Sequence, residues 1–304
     1  MNAPQSRLPT YGYLLLVGIT IFWGTNWPAM KIVLGEMPVW WFRSFCVIFS
    51  GVGLLAIAMA TGTSITVPAA ERRPLLVSAL FNTIGWHIFT GYGVSIMPAG
   101  RASIIAFTMP VWAALLGYFI LGEPLTKAKI TGLVLGVAGL AVLVGPDLMV
   151  FEHAPVGALF MLLASVSWGI GTILVKRENW TIPTVTLAGW QLVACAVPIT
   201  VGAMLIEPFP DLGAMSTRSW VAITYIFLLP LLFGQWAFLR TVRLFPASIA
   251  SIGTLAVPVV GVYSSALVLG EPVGVREFTA LVLICSALFV VMVLPAIRQA
   301  SPRT

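Results

Sequence analysis

The sequence predicts an all-α membrane protein of ten transmembrane helices, arranged as two inverted five-helix repeats. Three observations carry this reading. The first is composition: 59% of the 304 residues are hydrophobic and 9% are charged, against about 45–50% and 25% in soluble globular chains. With a mean hydropathy of +1.02, the chain has the bilayer as its solvent. The second is an internal duplication. Met97-Pro98-Ala99, Ser103, Pro110 and Gly122-Glu123-Pro124 match Phe245-Pro246-Ala247, Ser251, Pro258 and Gly270-Glu271-Pro272, all 148 positions on. Upstream, Trp23-Gly24 and Lys31 match Trp168-Gly169 and Lys176 at 145 positions, and a three-residue loop difference accounts for the shift. The third is the placement of basic residues. With the N-terminus in the cytoplasm, Arg7, Arg72, Arg73, Lys127, Lys129, Lys176, Arg177, Arg240, Arg243, Arg298 and Arg303 fall on the cytoplasmic side, 11 of the 16 Lys and Arg. That bias fixes both termini inside. It also accounts for the formal charge of +6 without a nucleic acid or an acidic partner. Five spans per repeat is an odd number, so the second repeat enters the membrane upside down.

The spans lie near 11–34, 37–60, 74–96, 98–121, 126–145, 154–177, 183–206, 218–243, 246–269 and 274–297, and the repeats cover 1–147 and 148–304. Each span approaches the roughly 20 residues that cross a 30 Å hydrocarbon layer. Short connections marked by Pro, Gly and charge separate them, such as Gly35-Glu36-Met37-Pro38 and Glu207-Pro208-Phe209-Pro210-Asp211. The first apolar run is long enough to span and lacks the basic region of a cleavable signal.

Taken in order, span one presents Trp23, Asn26, Trp27 and Met30 at helical spacing and ends on Lys31. Arg43, in span two, lies near the outer end, within snorkelling reach of the interface. Span three holds Asn82 and Trp86 on one helical face and Thr83 and His87 on the next. Polar groups at that depth are expected to face the bundle interior. Pro110 and Pro258 fall near the middle of spans four and nine, where a proline kinks the helix and frees a carbonyl. Their matched positions mark them as hinge or cavity-wall candidates, whereas Pro28, Pro198 and Pro230 read as packing kinks. Gly132, Gly136 and Gly139 form a small-residue packing stripe on span five. Span six offers Trp168, and Gln191 in span seven stands where Arg43 stands in the first copy. Gln235, in span eight, stands where His87 does. Lys31 and Lys176 sit at matched far ends of inverted spans, so they face opposite sides as gate candidates. Glu123 and Glu271 read as parts of structural turns.

A cavity walled by Trp23, Trp86 and Trp168 with Asn26, Asn82, His87, Gln191 and Gln235 suits a zwitterion with an apolar side chain. Acids sit at span ends, leaving His87 as the one deep titratable candidate. Transport down the substrate's own gradient follows as the expectation. No deep Lys/Arg cluster awaits a phosphate. Neither the three cysteines nor the two histidines show metal spacing, so no metal or cofactor is expected. No nucleophile or acid–base constellation supports an intramembrane enzyme.

The Trp-Gly pair, the repeated Pro-x-x-x-x-Ser…Pro…Gly-Glu-Pro block and the five-plus-five layout resemble the EamA branch of the drug/metabolite transporter superfamily, over about residues 12–297. Within it the chain is similar to the bacterial aromatic amino acid exporters. The resemblance implies a basket of helices around a central cavity. It also implies an inner-membrane, alternating-access carrier for amino acids and related metabolites. Its partners would be that small-molecule substrate and the bilayer, and a monomer suffices. A quaternary-ammonium or drug exporter, or a proton-coupled antiporter of the same fold, is the alternative.

Overall fold

The computed structural model describes residues 10–122, 124–148, 154–234, 236–237 and 247–294. Among them every regular element is helical: α1 (Thr10–Leu34), α2 (Val39–Ala60), α3 (Ala69–Ala79), α4 (Trp86–Ile96), α5 (Ala99–Ala106), α6 (Met109–Leu121), α7 (Lys127–Leu148), α8 (Ala154–Arg177), α9 (Thr184–Ile206), α10 (Thr217–Ile226), α11 (Ala247–Leu269) and α12 (Val275–Leu288). An all-helical chain is what the bilayer requires, because a helix satisfies its own backbone donors and acceptors. Four described helical stretches, Val39–Ala60, Ala99–Leu121, Val156–Arg177 and Thr184–Ile206, are long and apolar enough to cross a membrane by length and composition.

Three π-helical segments interrupt the α-helices: Leu80–Gly85 between α3 and α4, Phe227–Phe233 after α10, and Phe289–Val293 after α12. The first two occupy matched places in the duplicated sequence. A π turn carries one extra residue and leaves ladder carbonyls open to other donors. A facing helix fills that need in each case: Ser167 Oγ donates to Phe81 O at 2.9 Å, and Trp23 Nε1 donates to Pro230 O at 3.0 Å. Pro230 therefore has a specific partner beyond simple packing.

Span four differs from the single kinked helix expected. The chain breaks at Phe107-Thr108, and Pro110 opens the first turn of α6, where its missing N–H costs no intrahelical bond. Thr108 fills the break: its hydroxyl shares a hydrogen bond with Ser165 Oγ at 2.7 Å and accepts from Trp112 Nε1 at 3.0 Å. Pro258, its counterpart, lies inside the continuous α11. The two matched prolines thus sit in different local structures. Both glycines of the repeated Gly-Glu-Pro, Gly122 and Gly270, take left-handed backbone (φ +66° and +71°) and stop their helices.

The packing scheme is regular. α1 lies on α11 and α10, α8 lies on α6 and α4, α2 lies on α9, and α7 lies on α12. Gly132 meets Ala287 of α12 and Val291 of the π segment after it, Gly139 meets Ile284 of α12, and Gly136 meets Val111 of α6. The stripe is a packing surface, as small residues allow in lipid.

The ends of the bundle are held by charged groups on helix termini. At one end Glu36 takes the Ser216 amide at 2.7 Å and its hydroxyl at 2.6 Å. There too Glu207 accepts from the Trp40 amide at 2.8 Å, and Arg101 pairs with Glu277 at 2.7 Å. At the other end Glu71 takes the Thr181 amide at 3.1 Å and its hydroxyl, and Trp190 Nε1 donates to Ile65 O at 2.7 Å. Each carboxylate lies where helix N-termini leave donors unfilled.

Candidate substrate site

The residues singled out from sequence fall into three groups. The first is an indole pair: Trp86 of α4 and Trp168 of α8 meet edge to face, ring centroids 4.8 Å apart. This is a favourable arrangement for ring quadrupoles. Asn82, in the first π segment, is pressed against Gly171 of α8, where an added Cβ would lie 2.3 Å from its Oδ1. That oxygen is buried and has no hydrogen-bond partner. Asn82 and Trp86 thus both meet α8, at Gly171 and at Trp168.

A second group surrounds Met30. Asn26 Nδ2 donates to Met30 Sδ at 3.2 Å, which leaves Asn26 Oδ1 buried without a partner. Arg43 does not snorkel: it is 4% exposed, and its Nη2 donates to Thr90 Oγ1 at 2.8 Å. The cause is the partner it finds inside, a threonine one helical turn from His87. His87 is itself buried, and its Nδ1 has no partner. Orphaned buried polar atoms are rare in folded proteins and call for an explanation.

The third group is hydrogen-bonded between helices. Trp23 is tied to Pro230 as described, and Gln191 Nε2 donates to Ser78 Oγ at 2.8 Å across α9 and α3. Gln235 lies outside the described residues.

Of the gate candidates, Lys31 reaches the turn after α4. Its Nζ donates to Val94 O, Ser95 O and Met97 O at 2.8, 2.9 and 3.0 Å, the free carbonyls of a helix C-terminus. Lys176 is exposed in the last turn of α8. Glu271 does more than shape a turn: its carboxylate accepts from the Ala99 and Gly100 amides at 2.7 and 2.8 Å, so it caps α5 from the other half of the sequence. Glu123 lies outside the described residues. Sequence reasoning missed Thr90, Ser167 and the capping role of Glu271. For Glu271 a signal was present, since its motif is repeated whole, and a plain turn has no need of a carboxylate.

Interrupted helices packed across a duplicated chain, with unpaired polar atoms between them, are the build of a membrane transporter. The chain belongs to the EamA-like transporter family, whose model matches it twice, over residues 10–145 and 155–293. Uncharacterized transporter YoaV of Bacillus subtilis is 25% identical over 275 residues, which is 90% of this chain and 94% of that one. The probable amino-acid metabolite efflux pump of Salmonella typhimurium is 27% identical over 297 residues, 92% of this chain and 93% of its own. A protein of known crystal structure shares the fold, with a TM-score of 0.66 at 22% identity over 96% of this chain and 99% of that chain.

Proposed function

We propose that the chain is an alternating-access exporter of amino acids, aromatic and other large neutral ones among them, in the bacterial inner membrane. In this reading ten spans form two inverted repeats with both termini cytoplasmic, and the substrate's own gradient drives transport. The observation that carries it is the Trp86–Trp168 pair with the unpartnered oxygens of Asn26 and Asn82. Indole edges and faces accept an apolar side chain, and amide oxygens accept an ammonium. The name of the Salmonella typhimurium relative, an amino-acid metabolite efflux pump, supports the substrate class.

The packing supports the inverted arrangement. Exchanging the halves turns α1 on α11 into α8 on α6, and both contacts are present. It also turns Glu36–Ser216 into Thr181–Glu71, with the carboxylate and hydroxyl partners traded. Substrate contacts are assigned to Trp23, Asn26, Asn82, Trp86, His87, Trp168, Gln191 and Gln235. Gating is assigned to Lys31 and Lys176 with Pro110 and Pro258. The test is uptake of a panel of radiolabelled amino acids into proteoliposomes, with and without an imposed pH gradient. Saturable uptake of aromatic and large neutral members is expected, to the same plateau in both conditions. No uptake of any amino acid would overturn the reading.

A further inference from the structure

We propose that Arg43 anchors the carboxylate of the substrate and makes a carboxylate a condition of transport; this rests on the reading of the chain as an amino acid exporter. A guanidinium stays charged in any protein setting. Buried charges are ordinarily paired, because leaving one alone is strongly destabilising. Arg43 is 4% exposed, and no described carboxylate lies within ion-pairing distance of it. Among the described residues its one oxygen partner is Thr90 Oγ1 at 2.8 Å. Met30 Sδ, a weak acceptor, lies 3.8 and 3.7 Å from Nη1 and Nη2. Among the described residues the Nε–H has no hydrogen-bond partner, and the Phe42 ring lies 4.9 Å from the guanidinium carbon. The site is also shaped for the side chain: a Cβ at Gly91 would lie 3.3 Å from Arg43 Nε.

The fork therefore retains unused donors in the geometry that binds a carboxylate through two parallel hydrogen bonds. An acceptor shares its Met30 neighbour. Asn26 spends its amide N–H on the same Met30 sulfur, so its Oδ1 is left over, as is Nδ1 of His87, one helical turn from Thr90. One cation and one orphan amide oxygen meet at Met30, the complement of a zwitterion. A quaternary ammonium would instead meet an uncompensated positive charge, which sets this site against the drug-exporter alternative. The charge belongs to the first half alone. Gln191, at the matched position in the second, is neutral and already bonded to Ser78.

The experiment uses the full-length protein in proteoliposomes. Entry of a radiolabelled amino acid that it carries is competed with the unlabelled amino acid, its amide and its decarboxylated amine. Wild type is expected to prefer the parent by about 10- to 100-fold, the range of one charged hydrogen-bonded contact. Arg43→Gln should lose that preference while the amine competes as before, and Arg43→Lys should keep part of it. Arg43→Met, close in volume, replaces Arg43→Gln if that variant does not reach the membrane. In detergent, phenylacetate should raise the unfolding temperature of wild type more than phenylacetamide does, and not that of Arg43→Gln. An unchanged carboxylate preference in the variants, with amino acids still carried, would overturn the anchor and leave the exporter. Phenylacetate binding that depends on Arg43, with no amino acid carried, would leave the anchor and overturn the exporter.

Discussion

Lys31 and Glu271 grip one turn from its two sides. The ammonium of Lys31 takes the last carbonyls of α4, and the carboxylate of Glu271 takes the first amides of α5. The turn Met97-Pro98 between them is thereby held to α1 and to the segment before α12, elements from both halves of the sequence. Two like-placed groups of opposite sign match the two opposite poles that the chain presents there.

Removing either charge is expected to loosen that end. Glu271→Gln or Lys31→Met should weaken the clamp by about 1 kcal/mol, which is about fivefold in the population of the opened end. The check uses a background in which Cys46, Cys195 and Cys285 are serine. A cysteine at Ala102, fully buried beneath the clamp, should react several-fold faster with an impermeant maleimide in either variant. Equal rates would show that the clamp does not close this end.

Orientation is tested by the same chemistry in whole cells. Cysteines placed in 61–73 should be shielded from impermeant reagent, and cysteines in 145–154 should be labelled. The reverse pattern would sink the inverted-repeat reading.

Acid should act on the Glu36 and Glu71 contacts. The Ser216 hydroxyl holds Glu36 below the ordinary carboxylate range, and the Thr181 hydroxyl does the same for Glu71. A carboxyl depressed in the folded state adds stability above the ordinary range, and that contribution is lost as pH falls through the folded value. Glu36 is exposed and Glu71 half-buried, both at the bundle ends, so solvent screening keeps the effect small. Thermal unfolding in detergent from pH 7 down to about 3 should fall less steeply for a Glu36→Gln, Glu71→Gln double variant than for wild type. Parallel curves would contradict this.

At the indole pair, Trp168→Ala should remove an edge-to-face contact worth about 0.5–1.5 kcal/mol beyond burial and lower transport at least about threefold. Asn82→Ala should also slow transport, with the protein still inserting and eluting as one species. Unchanged rates in both would move the site elsewhere.

His87→Gln addresses coupling. In the matched place of the other half the residue is Gln235, so an amide suits the position. Activity should therefore persist at half the wild-type rate or better, and a pH gradient should not concentrate substrate in vesicles. Accumulation on a pH gradient, abolished by His87→Gln, would make His87 a proton carrier.

Much of the helical framework was legible because its signals are local. Apolar runs gave the helices, and matched Pro and Gly residues gave their starts and stops at Pro98, Gly122 and Gly270. What the sequence hid was register and partner. A wheel drawn at 3.6 residues per turn gave no hint of the π turn at Leu80–Gly85, since no composition rule announces such a turn. Arg43 looked like a snorkelling side chain, since depth alone cannot reveal that Thr90 waits on a neighbouring helix. The break at Phe107-Thr108 was masked by Pro110, which looks the same from sequence whether it bends a helix or begins one.

The π turn at Leu80–Gly85 gives the third span the mechanics of a crankshaft. Below it α3 bears on α8 and α9, and above it α4 bears on α8 and α2. The spare residue in the turn is slack of one step. Drawing it into an α-helical pattern would swivel the whole journal of α4 by about 100° and advance it by about 1.5 Å, the turn and rise of one residue at 3.6 per turn. His87, Thr90 and Trp86 would sweep round together, and the Ser167 grip on Phe81 O is the pawl that holds them.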